Sequence, residues 1–221
     1  MTVPCLPILS LLETRVLGVL CEKQHTVPDT YPLSLNALVA GCNQKTSRHP
    51  LIEVSEADVL SAIDSLKGPA LIVESSGGRV TRYAHNMERG LRLPSQSIAL
   101  LTALMLRGPQ TLGELRINSE RLHRFADISA VEGFLQELAA RPEGAMVVEL
   151  PRQPGARETR WAHLLSGAPV IEDTPAAASL AGAASAGEIA ALKANVARLE
   201  AEVDALKGVV GKLCAELGVS G

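Results

Sequence analysis

Aromatic residues are nearly missing from this chain, with two Phe, two Tyr and one Trp in 221 residues. Any core must therefore be built from Leu, Val, Ile and Ala. Single-stranded nucleic acid is a poor match as well, because its binding proteins stack successive bases on exposed rings. Cysteine is sparse. Cys5, Cys21, Cys42 and Cys214 form no C-x-x-C pair, and none has a histidine at metal-ligand spacing. They read as free thiols of a reducing cytoplasm. No apolar run approaches the roughly 20 residues that span a bilayer. The first residues lack the basic start and continuous apolar core of a secretory signal. The expected protein is cytoplasmic and makes no membrane contact.

Sequence patterns that announce chemistry are also lacking. There is no H-E-x-x-H, G-x-S-x-G, Walker loop or G-x-G-x-x-G. Gly77-Gly78 reads as the tip of a hairpin, where glycine supplies positive φ. The histidines are scattered, and no nucleophile, base and orienting group fall together. A non-enzyme without cofactor or metal is expected. The net charge of −3 gives no basic signal either. Residues 1–92 carry nine acids and nine bases, residues 93–170 eight of each, and residues 171–221 seven acids and four bases. Any basic face must come from local clustering.

What the chain does have is a repeat. Thr81-Arg82-Tyr83-Ala84-His85 returns as Thr159-Arg160-Trp161-Ala162-His163. Each copy follows a short apolar strand, Ala70–Glu74 or Ala145–Glu149, and a turn-rich arm, Ser75–Arg79 or Pro151–Glu158. Each strand follows an amphipathic helix. Val59, Ile63 and Leu66 in the first copy correspond to Val131, Leu135 and Leu138 in the second. Such self-similarity points to duplication, and duplication of a scaffold also explains why His85 and His163 recur. On an alternating strand, Tyr83 and Trp161 should point into the core, with Arg82 and Arg160 outward.

Two further helices precede the amphipathic one in each copy. In the first they run from about Ser10 to Lys23, with Ser10 and Glu13 forming a capping box, and from about Ser34 to Cys42. Leu12, Val16, Val19 and Leu20 form the buried face of the former. Pro28 and Pro32 break the chain between them, and the polar turn Asn43–Pro50 follows. The third helix opens at Ser55, boxed with Asp58, and ends near Gly68-Pro69. In the second copy Ser95 is expected to cap the first helix, which Gly108-Pro109 stops. Thr111 opens the next, Asn118–Arg124 is a basic turn, and the third runs from Asp127 or Ser129 to Ala140. Three helices and a β-hairpin in about 75 residues are the order of a winged helix, a helix-turn-helix with a two-stranded wing. The expected class is α+β, mainly helical, with winged-helix units at 1–92 and 93–166.

Residues 167–187 are rich in Ala, Ser, Gly and Pro and read as a flexible linker. Beyond them Ile189, Leu192, Val196, Leu199, Val203, Leu206, Val210, Leu213 and Leu217 alternate at spacings of three and four. β-Branched residues dominate a and Leu fills d, a pattern that favours a parallel two-stranded coil over 188–218. Glu188 and Glu202 at g face Lys193 and Lys207 at e across such a dimer. A homodimer is therefore expected, with Ile189–Leu213 as its seam.

The segments Glu13–Gln24, Tyr31–Asn36, Cys42–Thr46, Leu106–Thr111, Gly113–Arg116 and Arg157–Arg160 resemble the YceH family of bacterial proteins. The resemblance covers residues 10–165 and implies a tandem winged-helix fold. It brings no substrate, reaction or site residues.

Two functional readings follow. The first is regulatory binding to duplex DNA through turns and wings, by Lys45, Arg48, Arg79, Arg82, Arg124, Arg157 and Arg160, with Arg121 and Arg152 nearby. Against it, a reading helix lies in a strongly negative groove. Here the third helices carry Glu56, Asp58 and Asp64, with Glu53 just before, and Glu132 and Glu137. The second reading is a protein–protein scaffold without direct DNA binding, such as an accessory subunit of a chromosome-organising complex.

Overall fold

The computed structural model describes residues 8–76, 80–153 and 155–169. The linker and the heptad seam Ile189–Leu217 lie outside the described residues. Seven α-helices and five short strands are present among the described residues. The chain is an α+β protein with small antiparallel sheets.

The first half runs α1 (Leu11–Thr26), β1 (Leu33–Ser34), α2 (Leu35–Cys42), α3 (Glu56–Lys67), β2 (Ile72–Ser75) and β3 (Arg82–His85). A short α4 (Met87–Leu91) then leads into the second half. That half comprises α5 (Ser95–Arg107), α6 (Leu112–Asn118), α7 (Ile128–Ala139), β4 (Val147–Leu150) and β5 (Arg160–His163). Local chemistry sets the boundaries. Ser10 with Glu13, Ser55 with Asp58, and Thr111 with Glu114 each close a reciprocal capping box. Ser34 and Asp127 cap α2 and α7 through their side chains. The expected Ser95 cap is corrected. Pro94 occupies the cap position without a side-chain bond, and Ser95 is the first helical residue. A proline immediately before a helix commits no N–H that would need a partner.

The two halves share one apolar core. Both first helices are buried nearly all round, Thr14–Cys21 in α1 and Ser97–Leu106 in α5. A one-sided apolar stripe would seat α1 on its own half alone. It is buried on its other side too, because α5 packs against it. The approach is close at Gly18, where an added Cβ would lie 2.8 Å from Leu106 Cδ2. The described residues thus form one compact unit.

The hairpins are built in one register. Ile72 pairs with His85 and Glu74 with Tyr83; Val147 pairs with His163 and Glu149 with Trp161. The correspondence extends to a third segment that the repeat in sequence does not show. Leu33 of β1 pairs with Tyr83, and Gln110, just before α6, makes an antiparallel bridge to Trp161.

Candidate interaction surfaces

The repeated signature is a packing device. Tyr83 and Trp161 are each 6% exposed and belong to the core, as alternation predicts. Their neighbours Arg82 and Arg160 bind the chain back onto itself. Arg82 donates from Nη1 to the carbonyls of Thr30 and Pro32, at 3.1 and 2.7 Å. Arg160 donates from Nη1 to the carbonyl of Pro109 at 2.8 Å and forks onto both oxygens of Glu114 at 3.1 and 3.3 Å. In each half the arginine therefore straps the last strand to the segment entering the second helix. Donors expected to meet phosphate are partly engaged by the chain itself, although Arg82 stays exposed and Arg160 half-exposed. The paired histidines are set into the base of each hairpin. Burial pushes the His163 imidazole down to about 4. Burial first, then the positive charge of His25, pushes His85 to about 4 as well. The His85 ring hydrogen-bonds the Gln24 side chain, and its backbone N–H donates to the Tyr31 hydroxyl at 2.8 Å. Both shifts favour the neutral ring at pH 7; the His85 ring has Gln24 as partner, whereas the buried Nδ1 of His163 has none among the described residues.

The turn after α2 is organised by two buried guanidinium groups. Arg15, within the apolar run of α1, donates to the carbonyls of Cys42 and Pro50 at 3.2 and 2.6 Å. Arg48 donates from Nε to the Gly41 carbonyl at 3.3 Å and from Nη1 to its neighbour Ser47 at 2.9 Å. It also clasps Glu22 of α1 with Nη1 at 3.1 Å and Nη2 at 2.6 Å. Gly41 and Cys42 are the last residues of α2, whose carbonyls have no partner within the helix. Positive groups there also suit the negative end of the helix dipole. Arg48 is 6% exposed. The expectation that it meets a phosphate is corrected: it caps α2 and neutralises Glu22. Sequence pattern does not separate it from Lys45, three residues earlier, which is exposed.

Arg79 lies outside the described residues. Lys45, Arg124 and Arg157 are exposed and make no ion pair among the described residues, and the same is true of Arg121 and Arg152. The third helices present acids. Glu56, Asp58 and Asp64 of α3 and Glu132 and Glu137 of α7 are all exposed. The one base of α3, Lys67, is held by Asp64 at 3.0 Å and by Glu74 of β2 at 2.5 Å. Apolar groups interrupt these faces. Leu60 of α3 is 38% exposed, Val73 of β2 51% and Ile128 of α7 48%.

A groove of about 550 Å³ opens where the two halves meet. Its walls come from the end of α1, the turn after α2, the end of α5 and the end of α6, and they include Lys23, Ser47, Leu106, Arg107, Ile117 and Arg121. Residues this far apart in sequence give no local signal, so the groove is invisible to motif reading. Among the described residues no group of three or more His, Cys, Asp or Glu is placed to hold a metal ion. No helix among them is long and apolar enough to cross a membrane.

Fold and surface together define a small α+β protein whose two halves carry matching hairpins. The chain belongs to the family described as "Protein of unknown function, DUF480", whose model matches residues 9–156. Its relatives carry the name UPF0502, the family in which the YceH proteins fall. It is 62% identical to a UPF0502 protein of Dechloromonas aromatica over 204 residues, 92% of this chain and 95% of the relative. A UPF0502 protein of Methylibium petroleiphilum is 60% identical over 215 residues, 97% of this chain and 92% of the relative. One from Burkholderia pseudomallei is 58% identical over 216 residues, 98% and 92% respectively.

Proposed function

We propose that the chain is a non-enzymatic protein-binding scaffold made of two tandem winged-helix units and dimerised by its heptad tail. The observation that carries this reading is the chemistry of the presumed recognition helices. Glu56, Leu60 and Asp64 fall one helical turn apart on α3, so an acidic stripe brackets an exposed leucine. β2, packed beside α3, adds exposed Val73 and Glu74. Lys67 pairs with Asp64 and Glu74, so three acids face one base and the surface stays net acidic; it disfavours phosphate and suits a partner that offers basic groups around an apolar contact. An accessory subunit of a chromosome-organising complex is one assembly of this type, by analogy of fold alone. The test is affinity capture with the full chain and with a Glu56→Lys/Asp64→Lys variant. A partner retained by the first and lost by the second supports the reading. Equal recovery by both excludes α3 as the binding face.

The second reading, regulatory contact with duplex DNA, keeps one observation in its favour. Lys45, Arg121, Arg124 and Arg157 are exposed and make no ion pair among the described residues. Contacts from turns and arms are poor in sequence information. On this reading Asp58→Ala or Glu132→Ala leaves binding unchanged or tightens it, while Lys45→Ala/Arg124→Ala/Arg157→Ala weakens binding to all duplexes alike. Anisotropy titrations separate the two.

A further inference from the structure

The groove between the halves has a charge pattern that the scaffold reading does not use. Lys23, Arg107 and Arg121 line it, against the carboxylates of Glu22 and Glu120. Glu22 is already engaged, 2.6 Å from Arg48 Nη2 and 3.6 Å from Lys23 Nζ. The wall thus holds more positive charge than the carboxylates beside it can balance.

Arg107 is the decisive group. It ends α5 and is half-buried, and its described partner is a neutral one, the Ser47 hydroxyl, which accepts from Nη2 at 2.8 Å. No carboxylate among the described residues lies within ion-pair distance of it. Burial lowers its proton affinity; the charge of Glu22 opposes this and that of Arg48 adds to it. A guanidinium is not neutralised by such an environment, so its charge persists, and among the described residues its Nε and Nη1 have no hydrogen-bond partner. Guanidinium forks match carboxylate and phosphate oxygens. Beside it stand Leu106 and the exposed Ile117, 71% accessible, together with Val27 at 40%. A volume near 550 Å³ falls in the range of small-molecule sites.

We propose that this groove binds a small organic oxyanion, its carboxylate or phosphate head held by Arg107 with Arg121 and its apolar body laid on Leu106 and Ile117. The site joins both halves of the repeat, so occupancy links the turn after α2 to the end of α6. It stands independently of the protein-binding reading, since it uses no residue of α3 or β2.

The test is a titration of the full chain with hexanoate, hexyl phosphate and hexylammonium, followed by amide chemical shifts. Saturable binding of hexanoate or hexyl phosphate is expected, with shifts centred on residues 44–47, 103–107 and 117–122. Which of the two binds more tightly identifies the head group. Arg107→Gln should weaken binding about tenfold or more, the loss typical of a charge-assisted pair. Arg121→Gln, at an exposed position that does not support the fold, should weaken it as well. Arg152→Gln should leave it unchanged. The proposal is overturned if neither anion saturates, if hexylammonium binds equally well, or if folded Arg107→Gln and Arg121→Gln both bind like the natural protein.

Discussion

Replacing Arg48 separates a structural arginine from a phosphate-binding one. Its side chain makes four hydrogen bonds, two to the Glu22 carboxylate and one each to the carbonyls of Gly41 and Ser47. Arg48→Ala leaves the Glu22 carboxylate, whose side chain is only 18% exposed, beside an empty space, with Lys23 at 3.6 Å as its remaining partner. It also strands the Gly41 carbonyl at the end of α2. Breaking a buried pair from one side costs about 3–5 kcal/mol. The residual exposure of Glu22 and the help of Lys23 place the expected loss near the lower end, about 3 kcal/mol. Urea unfolding followed by circular dichroism reads this directly. Arg48→Met/Glu22→Gln removes both charges at similar volume and should recover at least half of the loss, because no uncompensated charge remains. Arg124→Ala, at an exposed position, should stay within about 0.5 kcal/mol of the natural protein. If Arg48→Ala is as stable as Arg124→Ala, the assignment of Arg48 as an internal cap is wrong.

Three further outcomes are expected. Tyr83→Ala and Trp161→Ala should each destabilise by about 3–5 kcal/mol, as large-to-small core changes do; a variant that melts like the natural protein but loses a ligand would make the ring a binding platform. Stability should fall on acidification between about pH 6.5 and pH 4. His85 and His163 are held near 4 in the folded state, so there the unfolded chain binds protons that the folded one refuses. At about 1.4 kcal/mol per tenfold change in proton affinity, each ring withholds roughly 3 kcal/mol by pH 4, and His163→Gln should flatten the pH dependence of the unfolding midpoint. Light scattering should give twice the subunit number for the full chain as for one ending at residue 187; equal numbers would remove the tail as the dimer seam.

Much of the fold could be read from local chemistry. The capping residues Ser10, Ser34, Ser55 and Thr111 stand where the helices begin, and Val59, Ile63, Leu66 and their counterparts Val131, Leu135 and Leu138 are buried as their spacing implies. The core positions of Tyr83 and Trp161 followed from simple alternation. What could not be read depends on partners distant in sequence. β1 is two residues long, and its counterpart is a single bridge at Gln110, too short for any periodicity. α4 is a five-residue helix followed by a cap residue, Arg92, in the left-handed region. Arg48 resembles any turn cation until Glu22, 26 residues earlier, is folded beside it. Arg82 and Arg160 look like wing cations until the carbonyls of Pro32 and Pro109 are brought under them. The groove is assembled from four separate segments and is legible only in three dimensions.

Duplex binding by the full-length protein tests the central claim most directly. A fluorescent duplex is titrated at about 50 and about 200 mM salt. Were Lys45, Arg124 and Arg157 each to neutralise one phosphate, affinity would fall about 40-fold between those two concentrations. The scaffold account predicts no saturable binding at micromolar protein even at the lower concentration, because acids cover both third helices and Arg48 is spent within the fold. Micromolar or tighter binding that weakens steeply with salt, and that Lys45→Ala/Arg124→Ala/Arg157→Ala abolishes, would contradict it.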